Sequence, residues 1–196
     1  MKILAVSDVV EPLLYKAFDP SRFPGIDLVV ACGDLPPEYL RFLVNALSAP
    51  LYYVHGNHDI RHADNPPVGA IDIHGRLVEV GGVRLTGLEG SRWYNGGPFQ
   101  YREREMQAQI RRLRWRFWLR GAPHIVVTHA PPFRVGDGED RCHRGFESFH
   151  GLMARYGPRY LLHGHIHRRF ERPEDRITRI ANTQVINCYG YFIFDY

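Results

Sequence analysis

Lysine is almost missing from this sequence. Lys2 and Lys16 are the only two, and the rest of the 25 cationic side chains are arginines spread along the chain. A net charge of +4 with that distribution is not read as a nucleic-acid signature. Cysteine is scarce as well. Cys32, Cys142 and Cys188 are odd in number, and their spacing fits neither a disulfide framework nor a zinc ribbon. A reducing, cytoplasmic setting is the expectation. No apolar run approaches the ~20 residues that a membrane-crossing helix needs, so no membrane partner is expected. The first apolar run, through Ile3-Leu4-Ala5-Val6, is too short for a secretory signal and lacks a small-residue cleavage site. Repeats, low-complexity tracts and linkers are also missing. One domain over residues 1–196 is the default for a chain of this size.

Apolar residues make up 44% of the chain, enough for a sizeable core. They occur as short runs: Lys2 to Val6, Ile26 to Ala31, Leu51 to Val54, Ile125 to Thr128 and Tyr160 to His163. Continuous apolar runs of this length predict strands covered on both faces. Helical spacing appears between them. Pro36 to Leu47 places Leu40, Leu43, Val44 and Leu47 on one face, and Tyr101 to Leu119 does the same with Met106, Ile110, Leu113 and Phe117. Phe146 to Tyr156 is a third helix by the same reading. Leu77 to Val80 and Val83 to Leu88 form a predicted hairpin across Gly81-Gly82. Further strands are predicted over Arg176 to Ala181, Gln184 to Asn187 and Tyr191 to Phe194. The alternation predicts an α/β fold with mixed sheets covered by helices, and ligands beyond the C-terminal strand ends.

The polar clusters fall at those ends. Ser7-Asp8, Gly33-Asp34, Gly56-Asn57-His58-Asp59, Thr128-His129-Ala130 and Gly164-His165-Ile166-His167 each follow a predicted strand. They supply carboxylates, an amide oxygen and imidazoles, the donors that suit first-row divalent metals. Any one block alone is more often a turn or loop feature. Five of them, each at a strand end, point to one metal site assembled from distant parts of the chain.

In this order the five blocks resemble the signature of the calcineurin-like metallophosphoesterases, over nearly the whole chain. The resemblance implies two mixed β-sheets packed as a sandwich and flanked by helices. It implies two divalent metals (manganese, iron, nickel or zinc) bridged by Asp34 and a hydroxide. Asp8 and His167 would hold the first metal, and Asn57, His129 and His165 the second. His58 would face the substrate phosphate and the leaving oxygen. The implied chemistry is phosphodiester hydrolysis by a hydroxide that two cations generate near neutral pH.

One position departs from the pattern. The family's first block is usually Asp-x-His, and here it is Asp8-Val9-Val10. Val10 cannot ligate, which weakens the first site. Glu11 is read as a carboxylate at a helix start rather than as a substitute ligand. The departure keeps an alternative alive: a catalytically weak or inactive relative used for binding or scaffolding. The retained His58 argues for the enzyme.

Other features are read as secondary. The Gly-rich loop from Gly90 to Gly97 offers Arg92 to a phosphate, and the long segment from Asp137 to Phe146 offers His143 and Arg144. His55 and His163 read as satisfied strand-end histidines, and Asp59 as a residue orienting its neighbours. The segment Tyr101 to Arg120 carries seven arginines with Trp115 and Trp118. A solvated helix face is the favoured reading, with a nucleic-acid surface that guides a strand in a nuclease-like role left open. The expected partner is a small phosphate ester. The substrate and the oligomeric state are left open by the sequence.

Overall fold

The computed structural model describes residues 1–196. The first sheet contains β1 (Lys2–Ser7), β2 (Leu28–Ala31), β3 (Leu51–Tyr53) and β4 (Ala70–Asp72), with α1 (Pro37–Leu47) between β2 and β3. The second begins with β5 (Leu77–Val80) and β6 (Val83–Leu88). A short ribbon, β7 (Ser91–Arg92) and β8 (Gln100–Tyr101), leads into α2 (Glu103–Arg120). Then follow β9 (Ile125–Thr128), α3 (Ser148–Tyr156), β10 (Tyr160–His163), β11 (Ile177–Ile180), β12 (Thr183–Asn187) and β13 (Gly190–Asp195).

The first sheet has the order β13-β1-β2-β3-β4, and the second β11-β12-β10-β9-β6-β5. Each has a parallel centre. β1 to β4 run together, as do β6, β9, β10 and β12, and β13, β11 and β5 are antiparallel additions at the edges. β13 brings the end of the chain back beside its beginning, with Lys2 opposite Asp195.

The two faces of each strand explain the unbroken apolar runs. Ile3, Ala5, Leu28 and Val30 pack between the sheets against Leu85, Ile125, Val127 and Leu162. Their neighbours Leu4, Val6, Val29 and Ala31 point the other way, onto Leu40 and Leu43 of α1. Val126, Leu161 and Val185 likewise leave the second sheet for Met106, Ile110, Leu113 and Phe117 of α2 and Phe149 and Leu152 of α3. Alternation of side chains across a strand makes both faces apolar when both are covered. The result is four layers: helix, sheet, sheet, helices. No helix is long and apolar enough to cross a membrane.

The predicted strands and helices are present, with small shifts in their ends. Tyr101 belongs to β8 rather than to the helix, which starts at Glu103, where the Glu105 side chain accepts the Arg102 N–H at 2.6 Å. β4, β7 and β8 were not foreseen. β4 is a three-residue edge strand with no buried residue, and β7 and β8 have two residues each, too short for a periodic signal.

Candidate metal centre

The C-terminal ends of the parallel strands from both sheets meet along one edge of the sandwich. Asp8 follows β1, Asp34 lies three residues after β2, and Asn57 lies in the turn after β3. His129 follows β9, and His165 lies two residues after β10. Backbone bonds lace these ends together: Asp8 N–H to the Gly33 carbonyl at 3.1 Å, and Gly164 N–H to the His129 carbonyl at 3.0 Å. Asp8, Asp34 and His165 all have positive φ, at 65°, 56° and 66°. Non-glycine residues are strained in that conformation, and such strain gathers where side chains must be aimed. Two glycines make room. A Cβ at Gly56 would overlap the Asp34 carboxylate, and one at Gly164 would overlap the Ser7 hydroxyl.

Donor atoms of Asp34, His129 and His165 lie within 4.8 Å of one another. His129 Nε2 is 3.3 Å from Asp34 Oδ2 and 3.1 Å from His165 Nδ1. The far nitrogens are both committed. His129 Nδ1 donates to the Cys32 carbonyl at 2.8 Å, and His165 Nε2 donates to the Cys142 carbonyl at 2.8 Å. A carbonyl accepts only, so each ring carries its proton on that side. When both rings are neutral, two lone pairs face each other across 3.1 Å. Only a cation, whether a proton or a metal, resolves that arrangement.

Asn57 adds a second sign. Its Nδ2 donates to the Tyr94 hydroxyl at 3.3 Å, while its Oδ1 is buried with no hydrogen-bond partner. An orphaned buried oxygen is costly unless something else coordinates it. The donor set and these two features fit a divalent metal at Asp34, Asn57, His129 and His165.

The first half is sparser. The Asp8 side chain is fully buried and His167 Nε2 reaches its Oδ1 at 3.3 Å, but the His167 side chain is 60% exposed and packs against Tyr189. The His165 N–H also donates to Asp8, 3.1 Å from each carboxylate oxygen. Val10 packs against the apolar cluster under α1. Glu11 stands at the start of the 3-10 turn Pro12–Leu14, and its carboxylate lies over Gly190 rather than in the donor cluster.

Electrostatics follow the geometry. Burial by itself would lower the His129 pKa, but the charge and hydrogen bond of Asp34 overcome it and lift the ring to about 9. Burial, then the neighbouring His129, push His165 down to about 3. Burial works against ionisation of Asp34, yet His129 and the His58 N–H hold its carboxyl well below the usual range. In the metal-free protein the proton between the rings therefore sits on His129.

Other foreseen residues divide into two groups. His58 is exposed, and its backbone N–H donates to Asp34 Oδ1 at 2.8 Å. His143 lies beside the centre, its ring 5.2 Å from that of His165 and its Nδ1 on Asp140. Arg92 and Arg144 are engaged elsewhere. Arg92 pairs with Glu103 and lies over the Phe146 ring, so its guanidinium is not free for a phosphate. Arg144 lies over Phe133, 3.8 Å from Glu147. Asp59 accepts from the N–H groups of Asp34, Leu35 and Gly56 at 2.7 to 3.0 Å, tying two ligand-bearing turns together. His55 pairs with Glu89, and His163 is buried with Nδ1 on the Gly164 carbonyl. Tyr94 and the carbonyls of Cys32 and Cys142 went unforeseen. Carbonyls carry no sequence signal, and a tyrosine in a Gly-rich loop has no period to mark its partner.

Residues 1–169 match the family model described as calcineurin-like phosphoesterase, and the chain belongs to that family. Divalent metal ions are implied by that membership. Among curated proteins it is similar to the 3',5'-cyclic adenosine monophosphate phosphodiesterase CpdA of Pseudomonas aeruginosa, 32% identical over 170 residues. The match covers 81% of this chain and 61% of that protein, so the chain spans about three-fifths of the relative's length. Among solved structures it resembles TT1561 of Thermus thermophilus, with a TM-score of 0.67 and 18% identity, covering 96% of this chain and 89% of that one. The calcineurin-like phosphoesterase YfkN from Bacillus subtilis gives a TM-score of 0.54 at 12% identity, covering 99% and 89%. These two likenesses establish the fold.

Proposed function

We propose that the protein is a metal-dependent phosphoesterase that hydrolyses phosphodiesters at a two-metal centre. The observation that carries this reading is the cluster around Asp34. Two imidazole nitrogens and a carboxylate meet there, and the buried Asn57 amide oxygen has no hydrogen-bond partner. The relative named for cleaving a cyclic phosphodiester supports a diester over a monoester.

In this reading Asp34 would help to hold both metals. Asn57, His129 and His165 hold one, and Asp8 and His167 the other. When bound, the metals supply charge neutralisation at the phosphoryl group and a water-derived nucleophile. The chain's own groups do the rest. The His58 backbone is fixed on Asp34, and its exposed side chain borders a concavity of about 150 Å³ lined by Asp34, Pro36 and Arg61. A protonated His58 stabilises the phosphoryl oxygens or donates to the leaving oxygen, worth roughly 10²–10⁴-fold. His143, close to His165, is the remaining candidate substrate contact.

A second reading, a binding protein with a weakened centre, is favoured by one observation: Val10 packs into apolar surroundings where the family carries a ligand. Hydrolysis of bis-p-nitrophenyl phosphate by chelator-stripped protein separates the two. Turnover restored by manganese and abolished in Asn57→Ala supports the enzyme. Absence of turnover with manganese, iron, nickel and zinc alike would sink it.

A further inference from the structure

α2 and α3 lie side by side and run in the same direction. At their starts Glu103 accepts the N–H groups of Glu147 and Ser148 at 3.1 and 2.7 Å. Towards their ends Arg114 and Arg155 wall the same two adjoining cavities. One, of about 360 Å³, is polar and includes Gln107, Arg111 and Ser148. The other, of about 430 Å³, is aromatic and includes Trp115, Trp118 and Tyr156. Trp118 is 83% exposed and Trp115 56%, so these rings are available rather than taken up by the core.

The charges along this groove are unbalanced. The arginine ion pairs of the structure use Arg61, Arg92, Arg144 and Arg172, and none uses Arg111, Arg114 or Arg155. The two carboxylates at its upper end are already engaged, Glu103 by Arg92 and Glu147 by Arg144. Three guanidinium groups without an ion-pair partner, converging on one concavity, raise its potential, and an anion relieves it. Guanidinium suits phosphate, and exposed indole rings suit a flat base.

We propose that the groove between α2 and α3 binds a nucleotide, its phosphate on Arg114 and Arg155 and its base against Trp118. It is a site separate from the metal centre. A free mononucleotide and one residue of a single-stranded nucleic acid share this chemistry. A flat anionic bilayer does not fit a concave groove as well.

The test is a fluorescence titration in excess chelator, which removes any contribution from metal-dependent binding. The probes are adenosine monophosphate, a ten-residue oligouridylate, and phosphatidylserine vesicles. Wild-type protein is expected to bind one or both nucleotide probes with quenching of tryptophan emission. Arg114→Ala/Arg155→Ala weakens binding by at least about tenfold, and Trp118→Ala weakens it similarly and removes most of the quenching. Arg22→Ala/Arg179→Ala, which removes the same charge from exposed positions elsewhere, is expected to change it less than about threefold. Binding of both probes, or of either one alone, supports the site and identifies its source. Equal losses in the two double variants, no binding of either nucleotide, or binding to vesicles alone would overturn it.

Discussion

Around Asp34 the centre is enclosed. His129 is fully buried, Asn57 and His165 are 3% and 4% exposed, and each is held from its far side by a partner that decides which atom faces inward. Around Asp8 the centre is open. His167 is largely in solvent, and the neighbouring Val10 donates nothing. Both halves are built on strand ends along one edge of the sandwich, so their difference is one of support. A ligand whose rotamer and tautomer are fixed in advance binds without ordering cost, and one on the surface has to be ordered by the metal. Preorganisation is therefore concentrated in one half.

The strongest way to break this comparison is to remove one imidazole from each half. His129→Ala is expected to weaken manganese binding on the order of 100-fold or more, and His167→Ala by about tenfold. Calorimetric titration of chelator-stripped protein reads both, and equal losses would contradict the asymmetry. Next in size is Tyr94→Phe, which frees the Asn57 amide to rotate. A loss of about 10-fold in manganese affinity is expected, with turnover recovered in excess manganese. Unchanged affinity would show that Asn57 needs no such support. Val10→His sharpens the comparison from the other side. The added donor is expected to raise first-site occupancy severalfold at limiting metal, seen as a second ion per chain in elemental analysis. Wild-type occupancy in that variant would mean that the valine is not what weakens the site.

The smallest expected effect is on pH dependence of the metal-free protein. His129 is lifted from an ordinary value near 6.5 to about 9. Its contribution to stability is complete below the lower value and lost as pH rises through the higher one. The melting temperature of chelated protein should thus fall by a few degrees between about pH 6.5 and 9. With metal bound, the proton is replaced and the fall should vanish. Identical slopes with and without metal would place the proton elsewhere.

Much of this was legible in the residues. The apolar runs marked the long strands because both faces of each are covered, and the helices showed their apolar stripes. The candidate donor types stood at strand ends in order, and Asp8-Val9-Val10 marked a position that offers no donor. β4 and the β7–β8 ribbon were not legible, since two or three residues at an edge carry no period. Arg92 was legible as a cation but not as the partner of Glu103, because that pairing depends on where α2 starts.

The sequence by itself determined which donor types stand at which strand ends and that Val10 offers none, because these are properties of residue type and local period. Only the tertiary structure decided which nitrogen of each histidine faces the centre, that Tyr94 holds Asn57, and that Arg114 and Arg155 share a groove. Those outcomes rest on contacts between residues tens of positions apart, several of them to backbone carbonyls that every residue type possesses alike.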